Sequence, residues 1–241
     1  MTAIKTEKLR KEYKDVVAVN DLDLTVEEGE LFSLLGVNGA GKTTTIKMLT
    51  TLTKPTSGEA YILGHSAKDE AKKIKEQIDV SMQQTAVARN LTVDENIEFY
   101  CEMRGKTKEE AKEIKKRLYS IFGLDKVAKK RAKQLSGGWQ RKLSIALALV
   151  GDPKVLFLDE PTLGLDVIAR RELWRAIEQL KSKMTIVLTT HYMEEAEALS
   201  DRIGIMKDGR LLFVGDKTAL FAQTGAGSVE DAFIKIVEEG V

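Results

Sequence analysis

The feature that most constrains this chain is a compact apolar run, Leu31-Phe-Ser-Leu-Leu35, that ends at once in Gly36-Val37-Asn38-Gly39-Ala40-Gly41-Lys42-Thr43. The run reads as a buried strand, and Lys42 to about Leu49, including Thr44, reads as a helix. The segment between them fits G-x-x-x-x-G-K-[ST] in the strand–loop–helix context that gives this pattern its meaning. Glycines let successive backbone N–H groups turn inward at a helix N-terminus, where the dipole favours anions. The loop is therefore a candidate cradle for the phosphates of a nucleotide. Lys42 would reach the β- and γ-phosphates, and the Thr43 hydroxyl would ligate Mg²⁺.

A second segment supplies acids. Val155-Leu-Phe-Leu-Asp159-Glu160 is an apolar strand ending in two carboxylates, the form of a Walker B segment. Neighbouring side chains of a strand point to opposite faces, so the two acids have different tasks. Asp159 would hold Mg²⁺ through water. Glu160 would orient and polarise the water that attacks the γ-phosphate.

The remaining pattern is α/β alternation with one interruption. Ala3–Leu9 and Leu22–Val26 read as short strands, and Glu59–Leu63 as another after the turn cluster Lys54-Pro-Thr-Ser-Gly58. From about Gln84 to Leu143 the chain reads as helix. Thr92-Val-Asp-Glu95 and Thr107-Lys-Glu-Glu110 have the capping-box form. They precede the stripes Val93, Ile97, Tyr100, Cys101 and Ala111, Ile114, Leu118, Ile121. Afterwards come a strand at Val155–Leu158, an amphipathic helix at Ile168–Leu180 and a strand at Met184–Thr190. Ile203–Met206 and Leu211–Val214 flank Asp208-Gly209, a hairpin signal. Ser228 would cap one final helix. The expected division is an ATPase core with a β subdomain over 1–84, a helical subdomain over 85–145, and a returning core over 146–241.

Composition narrows the partners. The 241 residues carry 38 basic and 37 acidic side chains, a net charge of +1. That balance argues against nucleic acid, which calls for a basic surface. The one cysteine, Cys101, cannot form an internal disulfide and reads as a packed helix position. Met1–Arg10 lacks the apolar core of a signal peptide. Leu143–Val150 is the longest apolar stretch and is too short to cross a bilayer.

Leu135-Ser136-Gly137-Gly138-Trp139-Gln140-Arg141 closely resembles the LSGGQ signature of the ATP-binding-cassette (ABC) family, in its family place shortly before Walker B. Trp139 departs from the usual residue. The resemblance extends from Tyr13 to Val214, and Thr43–Thr50 and His191–Met206 look like the drug- and antibiotic-export branch. It implies an α/β P-loop (RecA-like) core with an N-terminal antiparallel β subdomain and an inserted helical subdomain. It implies an ATPase using ATP and Mg²⁺, working as a head-to-tail dimer with a second copy or a paralogous subunit. Each ATP would lie between one phosphate loop and the partner's signature, Ser136, Gly137 and Gly138. Tyr13 would stack on adenine, and Gln83 would be the Q-loop glutamine touching Mg²⁺ and water, with Gln84 the alternative. Asp166 would end the D-loop at the dimer interface, and His191 would sense the γ-phosphate. A separately encoded membrane permease would hold the subunit at the cytoplasmic face of the membrane.

Two other classes are weighed against this. Soluble cassette ATPases of nucleic acid or ribosomes usually carry two cassettes, a long coiled coil or zinc cysteines, and this chain has none of these. A P-loop GTPase would carry Asn-Lys-x-Asp, which is absent.

Overall fold

The computed structural model describes residues 1–239. Strands β1 (Thr2–Tyr13), β2 (Val16–Glu27), β4 (Ser57–Ile62) and β5 (His65–Ser66) form an antiparallel sheet in the order β2-β1-β4-β5. A six-stranded sheet has the order β10-β9-β3-β8-β7-β6. Its members are β3 (Leu31–Leu35), β6 (Ile78–Ser81), β7 (Val155–Asp159), β8 (Thr185–Thr190), β9 (Arg202–Lys207) and β10 (Arg210–Gly215). The pairings β6–β7, β7–β8, β8–β3 and β3–β9 are parallel, and β10 returns antiparallel on β9.

Strands buried on both faces need apolar residues at every position, and this explains the unbroken runs in β3 and β7. Phe32, Leu34, Val155, Phe157 and Val187 face one core, shared with Ile4, Leu22 and Ile62 of the antiparallel sheet and with Ile46 and Leu49 of α1 (Lys42–Leu49). Leu31, Leu156, Leu158, Ile186 and Leu188 face the other core. There they meet α5 (Gly137–Ala148) and α6 (Val167–Glu178). Phe32 and Phe157 are both fully buried, and each such side chain contributes about 1.5–3 kcal/mol relative to exposure.

Helices α3 (Val93–Met103) and α4 (Lys108–Phe122) join the second core through Val93, Ile97, Cys101, Ile114, Leu118 and Phe122. Both start at complete capping boxes, Thr92 with Glu95 and Thr107 with Glu110. The expected helical stretch from Gln84 to Leu143 is thus broken. Residues 84–92 are irregular, and 123–136 contain only short 3-10 turns before α5. Asn96 accounts for the first break. Fully buried, it accepts from the Ala88 amide and donates to the carbonyls of Ala88, Leu91 and Thr92, replacing helical bonds. Tyr100 adds a bond to the Ala86 carbonyl.

Strand β6 and the short helices α2 (Ala71–Lys75) and α7 (Met193–Leu199) have no counterpart in the sequence reading. The polar residues of β6 have specific partners: Asp79 pairs with Arg104, and the Ser81 hydroxyl meets that of Ser144 at 3.1 Å. Burial pushes the Asp79 carboxyl above its ordinary range, while the Val80 amide and Arg104 oppose the shift. After β10 the described residues hold α8 (Lys217–Thr224), capped by Asp216 and without a counterpart in the sequence pattern, and then the expected helix α9 (Val229–Ile234), capped by Ser228 and continued by a π-helical stretch over Lys235–Glu239. The β9–β10 turn holds Asp208 and Gly209 at positive φ, 49° and 76°, as the hairpin signal required. Gly209 donates to Ala40 and accepts from Asn20, which ties this turn to the glycine loop and to β2.

Candidate active site

The carboxyl ends of three adjacent parallel strands, β3, β7 and β8, meet at one edge of the sheet, where ligands of open α/β sheets bind. In register, Leu35 lies beside Thr190 and Asp159 beside Thr189. Each strand is followed immediately by a reactive residue or loop: Gly36, Glu160 and His191. The cleft above them has a volume of about 620 Å³ and is lined by residues 38–44, Val16, Val17, Ala18, Gln83, Glu160, His191 and Asp208, among others.

The loop requires its glycines. Gly41 has φ +104°, and a Cβ there would run into the Ala18 carbonyl; a Cβ on Gly36 would lie 2.5 Å from the Met206 carbonyl oxygen. Lys42 follows at the first position of α1 and is 5% exposed. Its ammonium donates to the carbonyls of Gly36 (2.7 Å) and Val37 (3.2 Å), and lies 3.2 Å from Oε1 of Glu160. The Thr43 hydroxyl lies 3.1 Å from both carboxylate oxygens of Asp159, so α1 and β7 bring oxygen donors together at one point. Hard-oxygen sets of this kind suit Mg²⁺.

Asp159 and Glu160 occupy different environments. Asp159 is fully buried and also accepts from the Thr189 hydroxyl at 2.6 Å. At Glu160 the chain leaves the strand with φ +49°, an uncommon backbone for a side chain this size. The Glu160 amide donates to the carbonyl and hydroxyl of Thr189, which fixes this turn. Oε2 of Glu160 lies 2.7 Å from Nδ1 of His191, so the carboxylate bridges Lys42 and His191. The His191 ring stacks on Tyr192 at 4.1 Å between centroids.

Gln83 is exposed and lines this cleft; Gln84 does not, and instead borders a neighbouring concavity with Gly137, Gln140, Arg141, Leu163 and Gly164. Tyr13 is 45% exposed and lies outside the cleft lining, with the Lys11 ammonium 4.9 Å from its ring centroid. Ser136, Gly137 and Gly138 also lie outside the cleft, at the start of α5. The Ser136 side chain makes no capping bond to its own helix, so the first-turn amides remain free for an acceptor. Asp166 is exposed and caps α6, accepting from the amides of Ile168 and Ala169.

Three contributors have no role in the sequence reading: Thr189, Val16 with Val17, and Arg141. Thr189 was legible in principle, because it sits two residues before His191 on a strand that pairs with β7. A buried Glu195 on α7 completes the surroundings. It accepts from Trp174 Nε1 at 2.9 Å, and burial raises its pKa.

A strand, glycine loop and helix delivering a buried lysine and a threonine to paired acids define a P-loop nucleoside triphosphatase. The sequence model described as ABC transporter matches residues 19–163, more than half of the chain. This protein belongs to the ABC transporter family. It is 46% identical over 214 residues to the phospholipid-transporting ATPase ABCA3 of Homo sapiens, covering 89% of this chain and 13% of that protein. It is 36% identical over 244 residues to the probable multidrug ABC transporter ATP-binding protein YbhF of Escherichia coli, covering 99% of this chain and 42% of that one. The chain therefore spans less than half the length of either relative. Among solved structures, it superposes on an ATP-binding subunit of an ABC transporter with a TM-score of 0.86 at 27% identity, covering 98% and 99% of the two chains. On a dimeric post-hydrolysis state of the cassette MJ0796 bound to ADP and Pi, the TM-score is 0.80 at 29% identity, covering 88% and 98%.

Proposed function

We propose that this chain is the ATP-hydrolysing subunit of a membrane exporter, acting as a head-to-tail dimer that closes on ATP. The observation carrying this reading is Glu160, fixed between Lys42 and His191 in the cleft that the glycine loop borders. In this reading the loop amides and Lys42 bind the phosphates, and Glu160 orients the attacking water. His191 contacts the γ-phosphate. Thr43, Asp159 and Gln83 would hold Mg²⁺, which when bound neutralises phosphate charge. Val16 and Val17, with Tyr13 on the same hairpin, would face the base.

The free first-turn amides of α5 are a second anion-binding surface outside the cleft, and two separate half-sites on one chain call for a second copy. The dimeric MJ0796 cassette supports this arrangement. Exposed Val167 and Ile168, beside Asp166, would be covered in such a dimer. Among the described residues no helix is long and apolar enough to cross a membrane, so a permease would supply that part. We place the chain on its cytoplasmic side, with 85–145 as the subdomain that meets the permease. A phospholipid-transporting relative and a probable multidrug transporter relative support a transport role, and transport requires two states of different ATP affinity.

The test is a mixed dimer. Ser136→Arg should block the partner's site while leaving its own cleft intact, so dimers with wild type should keep one working site. Two working sites in such dimers would refute the shared-site arrangement.

A further inference from the structure

Arg141 lies on α5 one turn beyond Gly137 and is 4% exposed. Nη1 donates to the Met82 carbonyl at 2.7 Å, and Nη2 donates to the carbonyls of Gln83 (2.7 Å) and Glu160 (3.3 Å). The β6–β7 ladder ends at the pair Ser81–Leu158, just before these carbonyls. The guanidinium therefore continues the join between the two strands after their own hydrogen bonds stop. One turn further along α5, Ser144 meets Ser81, so the helix is seated across the same junction. Burial works against the Arg141 charge, and the nearby carboxylates of Asp159, Glu195 and Glu160 support it.

We propose that Arg141 is a positioning residue for hydrolysis. Its fork holds the Gln83 and Glu160 loops at one separation and ties both to the helix whose N-terminus would face the second copy's nucleotide. From Ser136 to Arg141 is five residues, about 7.5 Å along a helix. A shift of the signature surface therefore moves the anchor of Glu160 in the same chain, and the two ATP sites become coupled through α5. The coupling rests on the dimer reading above; the positioning of Glu160 does not.

The experiment compares Arg141→Lys and Arg141→Met with wild type in the full chain. It measures kcat at saturating ATP, the Hill coefficient for ATP, equilibrium ATP affinity and thermal unfolding. Lysine keeps the charge but replaces a planar fork by a single ammonium, which cannot span three carbonyls in this geometry. Both variants should lose about 10- to 100-fold in kcat, the range expected for misplacing a reacting group by about 1 Å. ATP affinity should stay within about three-fold, and the Hill coefficient should fall toward one. Wild-type kcat in Arg141→Lys would overturn the proposal. So would a loss accounted for by weaker ATP binding or by less folded protein. Should wild type hydrolyse ATP without dimers or cooperativity, the dimer reading fails, while the kcat comparison still decides whether Arg141 positions Glu160.

Discussion

Glu160→Gln isolates the chemical role of the carboxylate from its structural one. Glu160 sits 3.2 Å from the Lys42 ammonium, and at an effective dielectric of about 20 the attraction is about 5 kcal/mol before desolvation is subtracted. Glutamine preserves the shape and an acceptor for Lys42, and Lys42 keeps its bonds to Gly36 and Val37, so the ammonium loses its counter-ion but not its hydrogen-bond partners. The fold and the cleft should therefore survive. What is lost is the charge to which the proposed function assigns the polarising of water. Removing a positioned base costs about 10²–10⁴ in rate, or about 2.7–5.4 kcal/mol in the barrier. ATP affinity should hold or tighten, because the carboxylate next to Lys42 no longer opposes an incoming anion. Steady-state phosphate release gives kcat, nucleotide titration gives Kd, and size-exclusion with ATP reads the dimer, which should accumulate. Turnover within about three-fold of wild type would refute the assigned role.

The same cleft yields two further expectations. Lys42→Ala removes a charge-assisted contact worth about 1.5–3 kcal/mol, so ATP affinity measured by titration should fall by roughly 10- to 100-fold; unchanged affinity would remove Lys42 from the phosphate site. Glu195 has a pKa raised above its ordinary 4.5 by burial, so the folded chain binds a proton more tightly than the unfolded one. Its contribution is full below about 4.5 and is lost as pH rises through the folded value. Glu195→Gln should flatten this decline, measured as urea-unfolding stability at several pH values upward from about 4.5; parallel curves for both proteins would contradict it.

Much of the architecture was legible because the buried strands and the cleft announce themselves locally. β3 and α1 have the expected bounds, since a five-residue apolar run and the glycine loop leave no other register. The capping boxes at Thr92 and Thr107 were readable for the same reason, as a few adjacent residues decide them. β6 was not, because its sequence Ile-Asp-Val-Ser makes sense only beside Arg104 and Ser144, residues far away in the chain. The loop at 84–92 reads as helix in the sequence because its organiser, Asn96, looks like an ordinary helix position; its four bonds exist only once the loop folds over it. Lys42, Thr43, Glu160 and His191, each picked out by a motif, line one cleft. The Lys42–Glu160–His191 bridge and the role of Thr189 depend on strand order, which no local pattern encodes.

Asn96 has a consequence for how force would enter the molecule. Its amide group is saturated by Ala88, Leu91 and Thr92, and Tyr100 one turn on grips Ala86, so the part of this segment from 86 to 92 is tied to α3. A loop of ten residues would ordinarily absorb a push as slack. This one is braced by α3 at several points, so a tilt of α3 would be passed toward Gln83 and the cleft rather than taken up as slack.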